Sequence, residues 1–417
     1  MIARFYRHRV KPYIHRGSLA LGALVVLNIA LLGIIIAPRL SAHLDLGTYP
    51  EVQDVAAKAS AWSFADLSSY FRVLAEEKGA VYAYKVLGVA KLPPNIDLHL
   101  LAHEVGDVLY TQEGIDGIKE CTSDFRNACS HSIVIGALQD FGTGKATIPK
   151  IQAACKLAPG GPGAYTMCFH GLGHGVFAYF GYDMQKAVAF CKRLGTREYG
   201  NQEFTQCVGG MIMELVDGGG HDHERWLVAN KKYLDPHDPL APCDGKLIPQ
   251  EAKSFCYSYL TPHLFQVAGA DLGHPDPATF PAAFKMCDPI TDTNLKYVCY
   301  GSFGKEFIPL AGARDIRRVD AFSDEEYKTA IDWCMLAPYD EAREACIEQA
   351  LASIFWGGES DPNASFRFCS LTPGGEVHDA CYSSLSRNIA EFVTGERRAQ
   401  LCKQLPAANV RTCERGV

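Results

Sequence analysis

Apolar residues recur along most of this chain with the period of an α-helix. Met184, Ala187, Val188 and Cys191 fall at i, i+3, i+4 and i+7, as do Tyr327, Ala330, Ile331 and Cys334, a spacing that lines one face of a helix. The pattern returns in Val208, Met211, Ile212 and Leu215, and in Ile347, Ala350, Leu351 and Ile354. Nearer the N-terminus Phe64, Leu67, Phe71 and Leu74 repeat it, with Gly79 as the stop. Ser323 and Glu326 have the spacing of a capping box ahead of the Tyr327 helix. Pro159, Pro338, Pro373 and Pro406 interrupt the pattern, each four residues after a cysteine, and a proline ends a helix just before itself. The chain therefore reads as all-α, a succession of amphipathic helices joined by turns.

Residues 17–38 follow a different pattern, because no charged side chain occurs among them. That length suffices to cross a bilayer, which needs about 20 apolar residues. Arg4, Arg7, Arg9, Lys11 and Arg16 precede the stretch and only Arg39 follows it closely, a bias that keeps the N-terminus in the cytoplasm. The expectation is a single-pass signal-anchor: residues 1–16 a cytoplasmic tail, 17–38 a transmembrane helix, and the C-terminal bulk periplasmic or extracellular. A cleaved signal peptide is the rival reading, but Leu40-Ser41-Ala42 fits a small-x-small cleavage site poorly. Residues 39–94, which lack cysteine, read as a membrane-proximal helical cap.

All 16 cysteines lie beyond that stretch and fall into close pairs: 121/129, 155/168, 191/207, 243/256, 287/299, 334/346, 369/381 and 402/413. An even number in an exported segment suits full disulfide pairing. No C-x-x-C occurs to suggest a zinc ribbon or a redox motif. The first member of each pair recurs after 33 to 52 residues, the period of stacked helical hairpins too small to bury their apolar faces alone. Each pair is placed to join the end of one helix to the start of the next. This layout resembles the cysteine-rich Sel1/tetratricopeptide-like repeat proteins over roughly residues 95–417. The resemblance implies an α-solenoid of hairpins, each closed by a disulfide, with a concave face that binds a protein, a peptide or a glycan. It carries over no functional residue.

Charge narrows the partners. Six of the 40 Lys and Arg and none of the 47 Asp and Glu lie in residues 1–39, so the remainder carries a formal balance of about −13. An acidic domain of this kind is not a nucleic-acid binder, which needs a basic patch. Nor does the chain contain a G-x-S-x-G elbow, a Walker A loop or a G-x-G-x-x-G turn.

Histidines supply the candidate chemistry. In His99-Leu-Leu-Ala-His103-Glu104-Val-Gly-Asp107 the spacing i, i+4, i+8 places two imidazoles and a carboxylate along one helical stripe, where they can converge on a metal. His103-Glu104-x-x-Asp107 resembles a zincin helix motif with aspartate in place of its second histidine. A second cluster is Cys168-Phe-His170-Gly-Leu-Gly-His174-Gly175, whose glycines allow a ligand or another backbone to approach. Two residues after the second cysteine of successive pairs stand His131, His170, Gly209, Ser258, Gly301, Glu348 and Ser383. The histidines thus collect at the N-terminal end of one wall.

The reading is a pocket lined by His99, His103, His131, His170 and His174 that binds a divalent metal, with Glu104, Asp107 or Glu214 as general base in a metal-dependent hydrolase. Imidazole with carboxylate suits Zn²⁺, Fe²⁺ or Mn²⁺. The competing expectations are a stripe of satisfied polar residues and a non-catalytic binding or assembly module. His221-Asp222-His223 is a weaker candidate, His263 and His378 read as structural or surface residues, and Asn363-Ala-Ser365 matches a glycosylation acceptor.

Overall fold

The computed structural model describes residues 49–218, 223–357 and 362–415. Among these it contains nineteen α-helices and no strand beyond two isolated bridges. Three helices come first: α1 Pro50–Lys58, α2 Phe64–Lys78 and α3 Ala80–Val89. The stapled region opens with α4 Leu98–Glu113, α5 Asp124–Phe141, α6 Thr147–Cys155, α7 Gly161–Tyr179, α8 Met184–Cys191 and α9 Gln202–Asp217. It continues through α10 His223–Tyr233, α11 Lys253–Val267, α12 Phe280–Lys285, α13 Thr293–Ala311, α14 Asp324–Met335 and α15 Asp340–Gly357. The last elements are α16 Pro362–Leu371, α17 Glu376–Phe392, α18 Gly395–Cys402 and α19 Ala407–Arg415.

Helix boundaries fall where local chemistry puts them. Ser323 and Glu326 form the anticipated capping box of α14, and Ser63 with Asp66 forms another at α2. Gly79, at φ +95°, closes α2 in a conformation that only glycine adopts easily. Two prolines contradict the simple breaker rule, since Pro262 and Pro309 stand inside α11 and α13. Between Cys207 and Cys243 the chain adds a helix, α10, followed by turns and irregular chain over residues 234–249.

All eight close cysteine pairs are disulfides, with Cα atoms 5.4 to 5.9 Å apart. Helices α4, α5, α7, α9, α11, α13, α15, α17 and α19 pack each on the next. Intervening helices such as α8, α14 and α16 lie beside them, joined by Cys191–Cys207, Cys334–Cys346 and Cys369–Cys381. Cys121, Cys243 and Cys287 depart from the expected pattern, standing outside the α-helices and not in the last turn of one.

The succession also folds back on itself. Asn95 N–H donates to Ala313 O at 2.7 Å, and Arg317 Nη1 donates to Leu87 O and Ala90 O at 2.9 and 2.8 Å. Arg126 Nη2 reaches Ser353 Oγ at 3.2 Å. Contacts across more than 200 residues thus press the middle of the chain against its first units.

The single-pass assignment is corrected here. Among the described residues no helix is long and apolar enough to cross a membrane, and residues 17–38 lie outside the described residues. Helices α5, α7, α13 and α15 have 18 or 19 residues, but each carries polar or charged side chains along its length. Eight disulfides instead mark an extracellular type of environment, where such bonds persist.

Candidate metal centre

The site grows from the start of α4. Asp97 caps that helix, its Oδ1 accepting from Leu100 N–H at 2.9 Å, and the first turn then presents His99 and, four residues on, His103. Their Nε2 atoms lie 3.2 Å apart. Hydrogen bonding assigns both tautomers. His99 Nδ1 is 2.7 Å from Phe125 O, and a carbonyl only accepts, so Nδ1 carries the proton. His103 Nδ1 is 3.1 Å from Ser132 Oγ, whose own proton goes to His103 O at 2.9 Å, so His103 Nδ1 donates as well. In the neutral rings two Nε2 lone pairs therefore face each other. A tetrahedral ion with metal–nitrogen bonds of about 2.0–2.1 Å sets its ligand nitrogens about 3.3 Å apart, close to the spacing found.

His131 on α5 completes the trio. It is 1% exposed, and neither ring nitrogen has a hydrogen-bond partner among the described residues. Each buried polar atom left this way costs about 1–3 kcal/mol. One ring nitrogen from each of His99, His103 and His131 falls within 4.8 Å of the others, so the three form a buried group that can hold a metal ion. Burial lowers the pKa of His99 to about 4 and drives those of His131 and His170 well below the ordinary imidazole value. The rings are thus neutral at physiological pH, the form that ligates.

A second tier comes from α7. His174 Nδ1–H donates to Glu214 Oε2 at 3.2 Å, and Tyr182 Oη–H donates to Glu214 Oε1 at the same distance. His174 Nε2 and His170 Nδ1 are buried with no partner among the described residues. The His174 ring lies 5.9 Å from that of His131 and 6.1 Å from that of His103. His170 packs on Tyr259 at 4.6 Å and sets Nε2 beside Met213 Sδ.

The glycines among these histidines serve close helix packing. A Cβ on Gly171 would lie 2.4 Å from His131 Cα, and one on Gly210 would lie 1.8 Å from His170 O. With no side chain at these positions, α5, α7 and α9 approach closely enough to bring their histidines together.

A cavity of ≈ 40 Å³ adjoins the cluster, with Asp97, His99, His103, His174, Glu214 and Asp217 in its wall. That volume holds a water or two, by the rule that one water needs at least about 10–15 Å³. Asp217 is raised to about 7, first by the protein packed around it and then by the Asp97 charge. Water nevertheless reaches about two-fifths of its side-chain surface.

Two candidate bases stand elsewhere. Glu104 pairs with Arg72, whose Nε is 3.1 Å away, and Asp107 is exposed. The cause is helical drift: at about 100° per residue, eight residues turn the stripe about 80° past His99. Glu214 does converge on the cluster, but as the acceptor that orients His174. His223 stacks on Trp226 at 5.6 Å, and His221 and Asp222 lie outside the described residues. His263 is buried, while His378 Nδ1 meets Thr372 Oγ1 at 3.0 Å.

Sequence reasoning missed Ser132, the Phe125 carbonyl, Asp97 and Asp217. The carbonyl is aimed by Phe125, Arg126 and Asn127, three consecutive non-glycine residues at φ +54°, +56° and +65°. Such backbone costs about 1–3 kcal/mol per residue. Its one sequence signal is the Cys121–Cys129 pair around it, whose separation of 8 is smaller than that of the other seven disulfides. Comparison with known proteins matches this chain to no family, no curated protein and no solved structure.

Proposed function

We propose that this chain is a divalent-metal-binding protein of an oxidising compartment, built as a helical-repeat scaffold that holds its ion through His99, His103 and His131. The observation that carries this reading is His131, fully buried with both ring nitrogens unpartnered among the described residues and one of them within 4.8 Å of a nitrogen on each of two further imidazoles. The stacked, disulfide-closed hairpins support the likeness to cysteine-rich Sel1/tetratricopeptide-like repeats. All 16 cysteines are consumed in disulfides, so thiolate ligation is not on offer. Three neutral imidazoles with an open fourth position suit Zn²⁺ best, since Mn²⁺ favours oxygen donors.

A catalytic use has one specific support. His174, oriented by Glu214, borders the same cavity as His99 and His103, where a water on the metal would be activated for hydrolysis. The small cavity restricts any substrate to a small one unless the wall moves.

Calorimetric titration of chelator-stripped protein with Zn²⁺ tests the binding claim: one ion per chain is expected. Ser132 fixes the His103 tautomer from behind, and loss of such outer-shell partners weakens metal binding about 10- to 100-fold. Ser132→Ala should therefore keep the stoichiometry at one and lower the affinity by that factor. Unchanged affinity would remove His103 from the ligand set.

A further inference from the structure

The cavity beside the histidines is acidic. Asp97, Glu214 and Asp217 stand in its wall with His99, His103 and His174, and no Lys or Arg is among the described residues that line it. Exposure gives it a direction: the Asp217 side chain is 39% exposed and that of Asp97 26%, against 8% for His174. Arg314 approaches the outer pair from a third element. Its Nη2 lies 2.8 Å from Asp97 Oδ2 and 3.8 Å from Asp217 Oδ2. One tethered cation thus already bridges both carboxylates. The loop that presents it is held in an unusual shape, with Ala313 and Arg314 at φ +52° and +62° and Ala313 O bonded to Asn95 N–H. An acidic pair alone would say little. The second observation is that His174, a nine-tenths-buried ring with an unpartnered Nε2, lines the same cavity.

We propose that Asp97 and Asp217 form an outer station for a divalent cation at the mouth of this cavity, on the path to the histidines, and that the Arg314 guanidinium competes with the cation for it. This rests on the histidine reading above and adds a second, weaker oxygen site of opposite exposure. The charges give its sign. At a pH above about 8, where Asp217 is ionised as well as Asp97, Asp97, Asp217 and Arg314 sum to −1 at the mouth; loss of the guanidinium makes it −2, and loss of both carboxylates makes it +1. Charged clefts alter association rates by about 10- to 1000-fold. The ion at the station is the same borderline divalent cation that the histidines take, held first by carboxylate oxygen and then passed to imidazole nitrogen.

Stopped-flow mixing of chelator-stripped protein with Co²⁺, whose visible absorption reports the nitrogen-bound state, measures loading. Arg314→Gln should load at least about fivefold faster than wild type, and Asp97→Asn/Asp217→Asn at least about tenfold slower, with the same final spectrum in all three. Asparagine retains the α4 cap, being as good a capping residue as aspartate, and Asp217→Asn alone should fall between. Equal loading rates in all variants, with the wild-type spectrum reached, would overturn the station and leave the histidine site standing. A wild-type protein that develops no Co²⁺ absorption would overturn both.

Discussion

Replacing His131 with alanine should abolish stoichiometric metal binding, while wild-type protein retains one ion per chain after exchange into metal-free buffer. The ring supplies a nitrogen whose lone pair has no other partner among the described residues, and its removal leaves only the His99–His103 pair of the three ligands. Stability follows the ion. At a free metal concentration 100-fold above Kd, binding adds about 2.7 kcal/mol, so wild-type protein should melt several degrees higher with metal than with chelator. His131→Ala should melt at one temperature in both buffers, below wild type in chelator because a buried ring is lost. A histidine that merely fills space predicts instead an equal deficit in both. Elemental analysis and calorimetric melting together separate these outcomes.

Gly210→Val should be among the most destabilising single changes in the stapled region. A Cβ at this position would sit 1.8 Å from His170 O and 2.8 Å from His170 C, both backbone atoms that no rotamer change can move. Overpacking commonly costs about 1–3 kcal/mol when side chains can yield, and here α7 and α9 must separate. The cost should therefore exceed that range, with loss of metal as well, because α7 carries His170 and His174. Gly88 is the control. Nothing lies within 4 Å of a Cβ built there, and in a helix alanine is favoured over glycine by up to about 1 kcal/mol. Gly88→Ala should leave the melting temperature unchanged or raise it. Equal destabilisation by both changes would remove the argument that these glycines exist for helix approach.

Much of the scaffold was legible because its signals are local. Cysteines separated by 8 to 16 residues, apolar positions at helical spacing and the Ser323–Glu326 cap all act within a turn or two of chain. The histidine wall could be read for the same reason: aligning the units by their second cysteine put His131 and His170 in equivalent places, and both stand in the cluster. What failed depended on angle or on distance along the chain. Asp107 was assigned by counting turns, and the drift of a straight helix carried it to the exposed side. The Asn95–Ala313 contact and the Arg314 bridge join segments about 200 residues apart, and no local pattern encodes them. The outer-shell groups escaped too, because a carbonyl aimed by three left-handed residues has no residue type to betray it. As for the ends, the uncharged stretch 17–38 promised a membrane anchor, whereas the described residues offer disulfides and no spanning helix.

The central claim is that buried imidazoles hold a divalent ion, and X-ray absorption at the zinc edge of the Zn²⁺-loaded protein tests it most directly. The arrangement of His99, His103 and His131 predicts a first shell of light atoms at about 2.0–2.1 Å, no sulfur, and the outer-shell scattering of at least three imidazole rings. A protein that retains no zinc, or a shell of oxygen alone without imidazole scattering, would contradict it.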